Sequence, residues 1–183
     1  MGGTSLRAIT SAAGLAPASA SYHFGSKEGL VLALLEKRGD PVRAQTAVGL
    51  ESLALRRRDP TIREVVVVIL QPYLDLLAED PEGGLRWVKF LAQLVISQDP
   101  QWLEFFGLGS GLGTLFTDLL RRASPLADAQ SIRRRATLAM HALVTSLSHL
   151  DAPALAGSLG PDGIDSDFAR ELVAFTSAGL RGR

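Results

Sequence analysis

SLRAITSAAGLAPASASYHFGSKEGL, residues 5–30, is the stretch on which the fold turns. Leu6, Ile9, Ala12 and Ala13 recur at helical spacing, so residues 5–13 can bury one face of a helix. Ser5, or Thr4 before it, suits the N-cap, where a hydroxyl accepts from an orphan first-turn amide. Gly14 stands where a left-handed residue would end that helix, a conformation glycine adopts without steric cost. Leu15 then points back toward a shared core. Pro17 suits the first turn of a second helix, which runs to about Phe24. Two helices joined by a short glycine turn make a helix-turn-helix, the motif whose second helix enters the DNA major groove.

The same residues carry a family resemblance. Ile9, Ala13, Gly14, Leu15, Tyr22, His23, Phe24, Ser26, Lys27, Glu28 and Leu30 together resemble the DNA-binding signature of the tetracycline-repressor (TetR) family. The extension SYHFGSKE, followed by a long helical remainder, is what lifts the match above a lone helix-turn-helix. The resemblance is close over the first quarter of the chain and architectural beyond it. It implies an all-α protein, with a helix-turn-helix DNA-binding domain over residues 1–44 and a larger helical-bundle ligand-binding and dimerisation domain over 45–183. It also implies a helix ahead of Ser5. Only Met1 to Thr4 precede it, so the chain reads as N-terminally incomplete against that pattern.

Composition narrows the alternatives. With 183 residues, 46% of them hydrophobic, the chain can build a sizeable core in one large domain or two small ones. The formal net charge is zero, so global charge predicts no nucleic-acid binding. Charge is uneven, however. Arg7, Lys27, Lys37, Arg38 and Arg43 outnumber Glu28, Glu36 and Asp40, leaving residues 1–45 at +2 and the rest at −2. No cysteine is present, which excludes disulfides, thiolate metal sites and cysteine nucleophiles. The longest unbroken apolar run is Val65 to Leu70, far short of a membrane span, and no signal peptide opens the chain. A cytoplasmic protein with no membrane partner is the expectation.

Helical periodicity continues after residue 30. One helix runs from Ser26 to Arg57, kinked near Gly39 by Pro41, or split into two at Gly39-Asp40-Pro41. Its first turn lacks the usual acid for a capping box, because Gly29 occupies that place. Arg56, Arg57 and Arg58 read as cations favoured at a helix C-terminus rather than as a second DNA patch. Further helices are expected over Thr61–Ala78, with a kink at Pro72, and over Leu85–Ser97. Pro100–Ser124 should be a short helix, a glycine-weakened joint and a longer helix. Asp128–Leu150 and Asp165–Leu180 complete the set, with a loop between them. No β-alternation of useful length and no internal repeat appears.

Three sets of residues are candidate sites. Thr4, Ser5 and Arg7, at the start of the first helix, suit phosphate contacts, since a helix N-terminus presents free amides. The resemblance maps base-facing roles onto Pro17, Ala18, Ser19 and Ser21, and phosphate contacts onto Tyr22, His23 and Lys27. Ala18 and Ser19 lack long donors, so base reading would rest on few hydrogen bonds, methyl contacts and DNA shape. Tyr22 and Phe24 can equally be core, and that reading is preferred for Phe24. Thr10 and Ser21 depart from the family's usual alanine and tyrosine.

The second set is an expected effector pocket on the central helices. It comprises Tyr73, Trp87, Phe90, Gln93, Leu94 and Trp102, with Phe105, Phe106, Met140, His141 and Thr145. Each could also be ordinary core. Such an apolar lining would suit an uncharged or amphipathic aromatic, lipid-like or polyketide-like effector. The third set follows from the family's habit of pairing its last two helices with those of a second copy. It comprises Ile132, Ala136, Ala139, Leu143 and Leu147 on one helix, and Phe168, Leu172, Phe175, Thr176 and Gly179 on the next. Isologous twofold dimers are the commonest oligomer.

Catalytic and metal readings find no support. His23, His141 and His149 form no i,i+4 pair. Glycines 107, 109, 111 and 113 make no nucleotide-binding loop, and no GxSxG occurs. No cofactor and no enzyme activity is expected. The function implied is a ligand-responsive homodimeric regulator of transcription, a repressor released from palindromic double-stranded operator DNA when a small effector binds. The rival readings are an all-α ligand-binding dimer that has lost DNA binding, and a small helical enzyme.

Overall fold

A computed structural model describes residues 5–14, 16–107 and 110–182, with only the backbone described at Pro17, Ser19 and Ala20. Leu15 therefore lies outside the described residues. The chain divides into two compact units, Met1–Pro41 and Val42–Arg183.

The first unit holds α1 (Leu6–Ala12), α2 (Pro17–Phe24) and α3 (Lys27–Leu34). Ser5 caps α1, its hydroxyl accepting from the Ala8 amide at 3.2 Å. Gly14 follows with φ +69°, the left-handed value expected of it. Pro17 opens α2 and Gly25 closes it. Ser26 caps α3 through the Gly29 amide at 3.1 Å. A Cβ at Gly29 would collide with the Phe24 carbonyl, so this close approach of α3 to the end of α2 demands glycine where a capping acid would otherwise stand. The carboxyl of the preceding Glu28 is held below its ordinary range, chiefly by its own amide and next by the Ser26 hydroxyl. Thr10 is buried, which its hydroxyl tolerates because it donates to the Arg7 carbonyl at 3.0 Å.

Helical backbone continues from α3 through a π turn, Leu35–Gly39, into α4 (Asp40–Ala54). The chain thus neither splits nor simply kinks at Pro41. The wide turn directly precedes the proline, which has no amide to donate to a regular ladder. α4 also ends at Ala54, short of the expected Arg57. The arginines serve a different end. Arg56 and Arg58 both pair with Glu64, on the first turn of the next helix.

The second unit is a bundle of α5 (Ile62–Glu79), α6 (Pro81–Ile96), α7 (Pro100–Phe106), α8 (Gly111–Ala123), α9 (Ala129–Ser148) and α10 (Ser166–Arg181). Thr61 and Glu64 form a capping box at the start of α5. That helix runs unbroken through Pro72 and buries Val65, Val66, Leu70 and Leu77 almost completely. Each such side chain contributes about 1.5–3 kcal/mol on leaving water. α6 starts four residues before the expected Leu85. Asp80 accepts from the Gly83 amide at 2.9 Å and Pro81 takes the first helical position, so Asp-Pro begins a helix here instead of breaking one. α5 and α6 pack on each other, α6 on α9, and α10 on both α5 and α9. The expected loop 151–164 contains a short 3-10 turn at Pro153–Leu155. It also holds a two-residue antiparallel hairpin, β1 (Leu159–Gly160) with β2 (Gly163–Ile164), lying beside α5. The described fold is otherwise all-α.

Candidate functional site

The outer face of α2 is the first candidate. Ala18, Ser21, Tyr22 and His23 are all exposed, and Tyr22 is 87% exposed. Its ring meets the His23 imidazole edge-on at 5.4 Å. The core reading of Tyr22 is thereby excluded, while Phe24 is half-buried, as its core role requires. Ser5 and Arg7 are exposed at the start of α1, and Lys27 is half-buried in the first turn of α3. Thr4 lies outside the described residues, and the side chains of Pro17 and Ser19 are likewise not described. Polar groups and a bare aromatic ring on one short helix can meet phosphates and stack or dip against a groove wall. Among the described residues of the first unit, none buries Ala18, Ser21, Tyr22 or His23.

The second candidate is a pair of cavities in the bundle. The inner one, about 30 Å³, is lined by Thr46, Ile69, Tyr73, Phe106, Leu112, Gly113, Phe116 and Met140. A volume of this size admits about one or two waters. The outer one is a groove of about 290 Å³ between α6, α7 and α9, bounded by Val95, Gln98, Trp102, Leu103, Phe106, Gly107, Thr137, Met140 and His141. Phe106 and Met140 belong to both walls. Trp102 stacks on Phe106 with centroids 4.9 Å apart.

The polar groups are few. Tyr73 is 5% exposed, and its hydroxyl has no hydrogen-bond partner among the described residues. Burial alone pushes its pKa up, so it stays a neutral donor. The Thr46 hydroxyl donates to the Val42 carbonyl at 2.8 Å and keeps its acceptor capacity. In the groove, His141 Nδ1 lies 2.8 Å from the Thr137 carbonyl. A carbonyl only accepts, so Nδ1 carries the proton and a neutral ring leaves Nε2 as an acceptor. Apart from Tyr73 and His141, no titratable side chain among the described residues lines either cavity.

Of the residues named from the sequence for an effector pocket, Tyr73, Trp102, Phe106, Met140 and His141 line these cavities, and the others do not. Leu94 is fully buried in the core. Trp87 is buried beside Phe90, its indole N–H unpartnered among the described residues. Gln93 and Thr145 are exposed. Phe105 packs against Phe106 and holds the Arg43 guanidinium 4.6 Å over its face. Sequence reading missed Thr46, Ile69, Leu112 and Phe116, because α4, α5 and α8 each show only an ordinary apolar face. Gln98 was missed too. It has φ +49° and ends α6 in a left-handed cap, with the Asp99 amide donating back to the Leu94 carbonyl at 3.0 Å.

The expected dimer residues divide in two, and one half needs correction. Ile132, Ala136, Ala139, Leu143 and Leu147 are all buried within the chain, as are Leu172 and Thr176, because α9 packs on α6, α8 and α10, and α10 on α5 and α9. A side chain already covered by its own fold cannot form an interface between copies. Phe168 is half-buried, and Phe175 and Gly179 are exposed. The surface face of α9 carries Leu138 instead, and α10 offers Phe175 together with Ala174, Ala178 and Gly179; Leu138 and Phe175 are each 70% exposed. Among the described residues no cluster of acidic, histidine or cysteine side chains could hold a metal, and no helix is long and apolar enough to cross a membrane.

Comparison with known proteins converges on one family. The model of the bacterial regulatory proteins of the tetR family matches residues 1–34. A second model, described as the tetracyclin repressor-like C-terminal domain, matches residues 68–179. An HTH-type transcriptional regulatory protein, RaaS, of Mycobacterium tuberculosis (strain ATCC 25618 / H37Rv) is similar, with 32% identity over 105 residues. That match covers 56% of this chain and 47% of the relative, so the chain spans about half the length of the curated relative it matches.

Proposed function

The chain belongs to the tetR family of bacterial regulatory proteins, and on that premise we propose that it is a ligand-responsive, DNA-binding transcriptional regulator, a repressor released from a palindromic operator by a small neutral effector. The observation that carries this reading is Tyr22. A large aromatic side chain left 87% exposed, beside His23 on the second helix of a helix-turn-helix, suits a surface completed by another molecule. Ala18, Ser19 and Ser21 would face base edges, while Ser5, Arg7, Tyr22, His23 and Lys27 would hold phosphates. Membership in a family of regulators accords with a protein that is not an enzyme.

The effector would occupy the cavities around Phe106 and Met140. It changes DNA affinity only by favouring one of two conformations, and the continuous helical backbone of residues 27–54 is the covalent path from one unit to the other. The homodimer would form through the outer faces of α9 and α10, around Leu138 and Phe175. The setting would be cytoplasmic, with no membrane partner. A gel-shift titration on palindromes from the gene's own upstream region, at several salt concentrations, tests the reading. Saturable, salt-sensitive binding supports it. Absence of such binding would favour an all-α ligand-binding dimer that has lost DNA recognition.

A further inference from the structure

The geometry points to a two-chamber effector site in which the hydroxyl of Tyr73, at the wall of the inner cavity, donates a hydrogen bond to a carbonyl or ether oxygen on an uncharged, flat, multi-ring ligand that enters by the outer groove. The inference deepens the effector-binding part of the regulator reading and rests on it. Four observations meet here. The Tyr73 side chain is 95% buried at the wall of the inner cavity, and its hydroxyl has no partner among the described residues. A hydroxyl at a cavity wall with no protein partner keeps its proton available for an acceptor that enters the cavity. The inner cavity alone, at about 30 Å³, is too small for a ring system. The groove beyond it, at about 290 Å³, approaches the lower end of ordinary ligand pockets.

Phe106 and Met140 are what separate the two, since each lines both. Methionine is unbranched and turns through several rotamers at low cost, and Phe106 ends α7, with Gly107 following. A shift of these two side chains joins the chambers. Trp102 and Phe106 then present stacked faces to a flat ring. The absence of any Lys, Arg, Asp or Glu among the described residues of either lining disfavours a charged ligand, whose desolvation would go uncompensated. Tyr73 serves the inner end as donor, and His141, Gln98 and Thr137 serve the outer end.

The test uses prodan, a neutral naphthalene ketone whose emission moves to the red when its carbonyl accepts a hydrogen bond. The full chain is expected to bind it saturably with red-shifted emission. Tyr73→Phe should weaken binding about fivefold, the size of one ordinary hydrogen bond, and move the emission to the blue. Met140→Trp, which fills the passage, should give the same blue emission with Tyr73 intact. Unchanged affinity and emission in Tyr73→Phe would overturn the proposal, leaving an ordered water as the partner of Tyr73. No saturable binding to the unsubstituted chain would overturn it as well. Operator binding by the unsubstituted chain is followed in parallel by fluorescence anisotropy without prodan. Failure of the unsubstituted chain to bind any operator would sink the regulator reading while leaving the Tyr73 result standing.

Discussion

The rings of Trp102 and Phe106 stack one helical turn apart on α7, with centroids separated by 4.9 Å and planes inclined by 28°. The chain has two tryptophans, and the other, Trp87, lines neither cavity. Bromobenzene, a neutral flat quencher that acts at contact, should therefore quench Trp102 alone. In Trp102→Phe most of the quenching should disappear, whereas Trp87→Phe should keep it. Steady-state tryptophan emission measures this directly. Quenching that survives in Trp102→Phe and vanishes in Trp87→Phe would place the ligand elsewhere in the bundle.

Lys27 stands in the first turn of α3, immediately after the Ser26 cap. As a phosphate contact it supplies charge and no sequence information. Lys27→Ala should weaken binding to every operator variant alike and reduce the salt slope by about one charge. Titrations at four salt concentrations on two operator variants check this. A loss restricted to one variant would contradict the phosphate role.

Leu138 and Phe175 are exposed on α9 and α10, and Leu143 is buried one turn and a half along α9 from Leu138. The two positions on α9 should therefore behave oppositely. Leu138→Glu is expected to shift the protein from dimer toward monomer in sedimentation, with its helical circular dichroism kept. Leu143→Ala should cost about 2–5 kcal/mol of stability and leave the dimer in place. A dimer indifferent to Leu138→Glu and Phe175→Glu together would mean that copies meet through another face.

Glu64 accepts from the Thr61 amide at 2.8 Å while the Thr61 hydroxyl accepts from the Glu64 amide at 3.2 Å. Arg58, then this cap, holds the Glu64 carboxyl far below its ordinary value of 4.5. A depressed carboxylate contributes stability that is present above its unfolded-state pKa and is lost as pH falls toward its folded-state value. The pair is open to solvent, so about 1 kcal/mol is expected. Glu64→Gln should lower stability by that amount at pH 7, and the gap should close progressively below about pH 4.5. Urea midpoints across pH 3–7 decide it. A gap that widens in acid would reverse the assignment.

Gln98 ends α6 at φ +49°, a conformation that costs a residue with a side chain about 1–2 kcal/mol. Gln98→Gly should relieve part of that cost, raising Tm by about 2–4 °C. The same change should weaken prodan binding if the side chain serves the groove mouth. An unchanged or lower Tm would mean that contacts of the glutamine outweigh the backbone strain.

The first unit was legible residue by residue. The Ser5 cap, the left-handed Gly14, Pro17 at the start of α2 and the end at Phe24 are set by neighbours within a few positions, and the structure matches each. Gly29 was legible only as a departure, because the collision that demands it involves the Phe24 carbonyl. Later boundaries failed where a signal had two uses. Asp80-Pro81 can stop a chain or start a helix, and Arg56 to Arg58 can cap their own helix or reach the next one. The α9 stripe failed for a similar reason. Apolar and small residues at helical spacing identify a buried face without saying whether the same chain or a second copy covers it.

The sequence by itself therefore determined the helical class and the helix-turn-helix, because periodicity, caps and turn residues act over a few positions, while the family was carried by the resemblance of the SYHFGSKE motif. Only the tertiary structure decided which faces were already covered. Ala136 and Leu147 went to the chain's own core, leaving Leu138 and Phe175 outside. It also brought Tyr73, Phe106, Phe116 and Met140, drawn from four separate helices, around one cavity. Such a meeting depends on how helices pack, and packing is a property of pairs of faces that no single stretch of sequence contains.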